Sequence, residues 1–157
     1  MRIAVAFDHA GVPFVDVVGD AIREAGHEPV DLGTCDDYPD AALLAARAVH
    51  VGAAERGVVV CGSGAGVAVA ASKLPGIRAC VGHDTYTAAQ CVSHDDCNVL
   101  CVGARVIGPV YAAACISAFA RADFSGEERH VRRLHKIDRL EQRGFELPPP
   151  QPESRSS

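Results

Sequence analysis

Five short apolar runs recur along the 157 residues, each followed by glycine or polar residues and then by an alanine-rich stretch. The runs fall near 3–7, 29–32, 57–61, 78–81 and 98–102, and the stretches near 12–25, 40–54, 66–74, 85–92 and 110–121. Runs of continuous apolar residues, rather than alternating ones, are what strands covered on both faces require. Strands alternating with helical patterns specify parallel βαβ connections. The expectation is an α/β protein: a Rossmann-like (flavodoxin-like) three-layer sandwich, a five-stranded parallel sheet with helices on both faces, plus a C-terminal helix. Pro39 and Pro109 suit the first turn of a helix, where no N–H is needed. The last helix is expected to start at Ser125-Gly-Glu-Glu128, which fits a capping box, and to run to about Arg143. Residues 1–143 then form a single domain, and 144–157, with Pro148, Pro149, Pro150 and Pro152, read as a disordered tail.

The composition narrows the classes of function. A hydrophobic content of 48% and a charged content of 22% fit a globular protein with a real core. Seven cysteines, an odd number with no C-x-x-C pair, argue for reduced thiols and a cytoplasmic location rather than a disulfide framework. The opening residues read as a strand rather than a leader, and no apolar run is long enough to span a bilayer. A net charge of −5 disfavours nucleic acid and membrane surfaces as partners.

In open α/β sheets ligands bind beyond the carboxyl ends of strands. Those ends carry Asp8, His9 and Gly11; Gly33, Thr34, Asp37 and Tyr38; Cys61 to Gly66; His83, Asp84 and Tyr86; and Gly103, Ala104 and Arg105. The third set stands out. In Val58-Val-Val-Cys61-Gly-Ser-Gly-Ala-Gly-Val67 a buried run ends at a cysteine followed by alternating glycines. Such a loop lets backbone N–H groups converge on an anion beside a potential base or nucleophile. A cysteine that merely packs would not need Gly62, Gly64 and Gly66 beside it. Val67 stands where a dinucleotide fingerprint needs glycine and where a low-molecular-weight tyrosine phosphatase loop needs arginine, and no Gly-Lys pair exists for a P-loop. What remains is a thiolate beside an oxyanion-stabilising loop, which suits proton abstraction next to a carbonyl. Arg129 and Arg133, four apart, share a helical face and could grip a dianion, or belong to a solvated basic face with Arg132, Lys136, Arg139 and Arg143. Asp84 reads as a cap for the next helix, and His27 and His50 as surface residues.

The chain resembles the type B ribose-5-phosphate isomerases and the related galactose-6-phosphate isomerases. The resemblance rests on Asp8-His-Ala-Gly11, Asp37-Tyr-Pro39, Cys61-Gly-Ser-Gly-Ala-Gly66, Ala71-Ser-Lys73 with Gly76-Ile-Arg78, His94 with Asn98-Val-Leu100, Gly103-Ala-Arg105, and Arg129-His130 with Arg133, in order. It implies an aldose–ketose isomerase that needs no metal or other cofactor and works through a cis-enediolate. Cys61 would be the base, and Ser63 with the amides of Gly62, Gly64, Ala65, Gly66 and Val67 would hold the oxyanion. His94 would open the sugar ring, Asp8 and Tyr38 would contact hydroxyls, and His9, Arg105, Arg129 and Arg133 would bind the phosphate. It also implies a homodimer or tetramer whose active sites lie between subunits.

The chain departs from the family pattern at Asp95, which stands where many members carry an asparagine that donates to the enediolate. An ionised carboxylate cannot donate and would repel that charge. The segment His83-Asp-Thr-Tyr86 resembles branches acting on four-carbon sugar phosphates. The substrate is therefore read as ribose 5-phosphate, with a tetrose 4-phosphate or hexose 6-phosphate as the alternative. A sugar-phosphate sensor without turnover is the alternative of another class. Retention of Cys61, Ser63 and His94 together argues against it, since a sensor needs only the phosphate grip.

Overall fold

A computed structural model describes residues 1–148 of the chain; the part of the expected tail from 149 onward lies outside them. Two compact units are present, Met1–Ser125 and a second beginning at Gly126.

In the first unit five strands form one parallel sheet: β1 (Arg2–Asp8), β2 (Glu28–Cys35), β3 (Arg56–Cys61), β4 (Ala79–Val81) and β5 (Val99–Gly103). Their order is β2-β1-β3-β5-β4. The helices are α1 (Val15–Glu24), α2 (Tyr38–His50), α3 (Ala65–Ala71), α4 (Thr85–Asp95) and α5 (Pro109–Arg121). The expected α/β sandwich is present, because successive strand residues point to opposite faces and both faces are apolar. Ile3, Val5, Phe7, Val58, Val60, Leu100 and Val102 pack against α1, α4 and α5. Ala6, Val59, Cys61, Val99 and Cys101 pack against α2 and α3. Helix α2 buries Ala41, Ala42, Ala45 and Ala46, small residues that form its sheet-facing side.

The edge strands differ from the core strands. β2 was expected to stop at residue 32, but it runs on to Cys35. Val5 of β1 lies opposite Asp31 and Phe7 opposite Thr34, so β2 holds one extra residue there, and Gly33 takes up the kink at φ +86°. Much of β2 is exposed, and β4 has only three residues.

In the second unit α6 (Glu128–Arg143) is followed by a 3₁₀ turn at Gly144–Glu146. The capping box expected at Ser125 does not form: Gly126 turns the chain at φ +66° and Glu127 takes the N-cap position.

Candidate active site

The strand order places the ends of β1 and β3 side by side while their following helices lie on opposite faces, which is where open sheets bind ligands. A cleft of about 400 Å³ opens there, lined by Asp8, His9, Ala10, Tyr38, Cys61, Gly62, Ser63, Gly66, Arg105 and Val106.

Two glycines let the loops close in. A Cβ on Gly11 would lie 2.3 Å from the Val60 carbonyl oxygen, so the turn after β1 can pass β3 only without a side chain. Gly66 lies under the Tyr38 ring, 3.0 Å from where a Cβ would stand. At the cleft floor Cys61, 3% exposed, ends β3. The Gly64 N–H, brought round by a left-handed residue at φ +77°, donates to its sulfur at 3.0 Å. The Ala65 N–H donates to Ser63 Oγ at 3.3 Å. Two of the amides expected to face an oxyanion are thus engaged inside the loop, which leaves that role to Gly62, Ser63, Gly66 and Val67.

The pairing of β3 with β5 continues past the strand ends: Ala104 N–H donates to the Cys61 carbonyl at 2.9 Å and Arg105 N–H to the Gly62 carbonyl at 3.0 Å. This brings the Arg105 guanidinium beside the loop, with Nη1 3.7 Å from the position of a Gly62 Cβ. Asp8 Oδ1 accepts from the amides of Ala10 and Gly11, both at 2.9 Å, so its carboxylate is fixed and the following turn is closed. His9 Nδ1–H donates to the Asp36 carbonyl at 3.1 Å, and the ring lines the cleft.

His83 is a residue whose role sequence reasoning missed. Its Nε2 accepts the Gly103 N–H at 2.9 Å and lies 3.2 Å from the position of a Gly64 Cβ, so it buttresses the glycine loop from behind. An accepting Nε2 requires a neutral ring, and burial lowers its pKa from the ordinary value, opposed by Asp84. Asp84 caps α4 as expected, accepting from Thr87 N–H at 2.7 Å. His27 does more than cover surface, since its Nε2 hydrogen-bonds the Ala120 carbonyl at 2.9 Å.

Of the expected site residues in this unit, Gly64, Ala65, Val67, His94 and Asp95 do not line this cleft. His94 and Asp95 end α4, which starts at the carboxyl edge of the sheet and runs back to the amino edge. There Arg78, just before β4, pairs with Asp96, and Asn98, just before β5, accepts the Arg78 N–H at 2.9 Å. The five residues of β5, roughly 16 Å of strand, separate that edge from Cys61. Arg129 and Arg133 lie on α6 in the second unit, where Arg129 pairs with Glu127 at 2.9 Å. Among the described residues no helix is long and apolar enough to cross a membrane.

A family model for ribose/galactose isomerases matches residues 3–137. Ribose-5-phosphate isomerase B of Escherichia coli is 37% identical over 146 residues, covering 90% of this chain and 97% of that protein. D-Erythrulose-4-phosphate isomerase of Pectobacterium atrosepticum is 35% identical over 131 residues, covering 80% and 86%. The type B ribose 5-phosphate isomerase of Trypanosoma brucei superimposes with a TM-score of 0.85 at 44% identity, covering 87% of this chain and 96% of that one.

Proposed function

The chain belongs to the ribose/galactose isomerase family and is a sugar-phosphate aldose–ketose isomerase, and we propose that it converts D-ribose 5-phosphate to D-ribulose 5-phosphate through a cis-enediolate. The observation that carries this reading is the sulfur of Cys61 at the floor of a cleft whose wall holds two phosphate-binding candidates, His9 and Arg105. Cys61 takes the proton from C2 of the open-chain aldose. The C2–H electrons form the C1=C2 bond and the carbonyl electrons move onto the C1 oxygen. The Ser63 hydroxyl and the amides of Gly62, Gly66 and Val67 stabilise the charge that develops there. The C2 hydroxyl passes its proton to the C1 oxygen and becomes a carbonyl, while the C1=C2 electrons take the proton back from the sulfur to form the new C1–H bond. Asp8 and Tyr38 contact sugar hydroxyls, and the phosphate is held by His9 and Arg105 together with Arg129 and Arg133.

His94 opens the ring in this proposal, and its position supports the expectation of a homodimer or tetramer with shared sites. A side chain on the amino edge of the sheet cannot reach substrate over Cys61 of the same chain, so a second copy must bring it. The protein acts in the cytoplasm as a soluble enzyme, without nucleic acid, membrane or metal.

A four-carbon substrate is the second reading, favoured by Asp95 at the family's asparagine position and by the erythrulose-4-phosphate isomerase among the relatives. Phosphorylated tetroses, pentoses and hexoses incubated with the protein in heavy water decide between the two. Deuterium entering the carbon beside the carbonyl of ribulose 5-phosphate at the fastest rate supports the pentose. Faster exchange into erythrulose 4-phosphate replaces it with the tetrose, and exchange into neither overturns both.

A further inference from the structure

β4 is the shortest strand of the sheet and ends at Val81, opposite Cys101 of β5. β5 runs on to Gly103, so its last residue lies beyond the register that the two strands share. A side chain stands where the next strand carbonyl would be: His83, two residues past the end of β4, accepts the Gly103 N–H on Nε2 at 2.9 Å. Gly103 is buried, and on its other side the Ser63 main chain comes so close that an added Cβ would lie 2.5 Å from the Ser63 carbonyl carbon. The same imidazole nitrogen is 3.2 Å from where a Gly64 Cβ would stand. The Gly64 N–H in turn donates to the Cys61 sulfur at 3.0 Å. A strand carbonyl holds its neighbour at any ordinary pH, whereas an imidazole holds it only while neutral.

We propose that His83 is a positioning residue of the isomerase: its neutral ring replaces a strand carbonyl behind the glycine loop, and protonating it unsettles the Gly64 amide at Cys61 and slows turnover. On protonation Nε2 becomes a donor facing another donor, the ring turns away, and the buried Gly103 amide loses its acceptor. The Ser63–Gly64 main chain is then no longer held from behind, and the Gly64 N–H drifts from the sulfur that takes the substrate proton. His83 touches no reacting atom and acts through Gly103 and Gly64. Its effect on turnover rests on the isomerase reading; its hold on the loop does not.

The charged surroundings set where the ring titrates. Asp84, next in the chain and fixed at the N-cap of α4, favours the charged ring, while burial opposes it and prevails. The elements against Nε2 add Cys61 at the start of the glycine loop and Arg105 just beyond β5. A Cys61 thiolate would favour the charged ring, and the Arg105 guanidinium would oppose it.

The test compares the parent with His83→Leu, which has no acceptor, and His83→Gln, whose amide oxygen keeps one. With the sugar phosphate that the parent turns over fastest, His83→Leu should lose about tenfold or more in kcat at about pH 7.5 with KM little changed, and His83→Gln should recover to within about threefold of the parent. The acid-side fall in the parent's kcat should include a titration below about pH 6.5 that is missing from His83→Gln. His9 and His94 are common to both proteins and cancel in that comparison. A second readout needs no substrate. In two-dimensional amide NMR spectra the Gly103, Ser63 and Gly64 signals of the parent should shift together between about pH 7.5 and about pH 5, with the midpoint of the His83 ring, and should stay still in His83→Gln. This readout decides the matter if His83→Leu fails to fold; a parent that turns over no sugar phosphate counts against the isomerase reading, and the amide signals still report the hold on the loop. The proposal is overturned if those amides titrate alike in the parent and His83→Gln, if His83→Leu keeps the parent's kcat, or if its loss falls on KM alone.

Discussion

Gly103→Ala tests the geometry on which the cleft depends. Gly103 ends β5 opposite Cys61, and a Cβ there would lie 2.5 Å from the Ser63 carbonyl carbon and 2.6 Å from its oxygen. Ordinary contact begins near 3.4 Å, so the Ser63 backbone must retreat by 3.4 − 2.5 = 0.9 Å, and a main chain cannot swing aside as a side chain does. The same movement pulls on the Gly64 amide that donates to Cys61 at 3.0 Å and on the Gly103 amide held by His83. Overpacking of this kind costs about 2 kcal/mol, which lowers Tm by roughly 4–8 °C in a chain of this size. A misplacement near 1 Å in a reacting group costs about 100-fold in turnover. Gly57→Ala is the control at the other end of the same ladder: Gly57 lies opposite Val99, and its added Cβ would meet Val99 Cγ2 at 3.4 Å and the Ala45 Cβ at 3.5 Å. It should stay within about 0.5 kcal/mol of the parent in urea denaturation, with full turnover. Unchanged turnover in Gly103→Ala, or equal losses in both variants, would refute the claim that β5 holds the loop in register.

Three further outcomes are expected. Because His83 is held neutral, the unfolded chain takes up a proton before the folded one does; its contribution to stability is complete above about pH 6.5 and is lost as pH falls through the lower folded value. Urea midpoints at about pH 5 and pH 7.5 should therefore differ less in His83→Gln, whose amide oxygen still accepts the Gly103 N–H, than in the parent; an unchanged difference contradicts this. Cys61→Ala should abolish deuterium exchange yet keep most of the thermal stabilisation given by a sugar phosphate, and residual turnover above about 1% of the parent would remove Cys61 as the base. Inactive Cys61→Ala and His94→Ala proteins, unfolded together and refolded, should recover about a quarter of parental activity if each site draws on two chains of a dimer; no recovery on mixing counts against shared sites.

Much of this was legible in the residues. Val58, Val59 and Val60, consecutive apolar residues ahead of a glycine loop, read as a strand covered on both faces, which the structure bears out by burying all three, and the strand-end rule gathered Asp8, Tyr38, Cys61 and Arg105 into one cleft. Elsewhere local signals misled. The apolar run of the second strand ends at residue 32, yet an edge strand can absorb the left-handed Gly33 as a bulge and continue. Ser125 and Glu128 have capping-box spacing, but the positive φ of Gly126 takes the serine out of the helix. His83 was invisible as a support because its partner is a main-chain N–H from another strand, which no side-chain pattern encodes. The far position of His94 follows from the direction of α4, a property of topology rather than of the motif around it.

The two borders of the sheet carry a final implication. β2 presents Pro29, which has no N–H to offer, then Asp31 and the Gly33 kink, and the opposite border is three residues long. Neither offers a straight rail of amides onto which a foreign strand could zip. Self-association that extends the sheet from molecule to molecule is thereby discouraged. Crowded with its own kind, the protein is protected from fibrous stacking by the same irregularity that made its second strand hard to delimit.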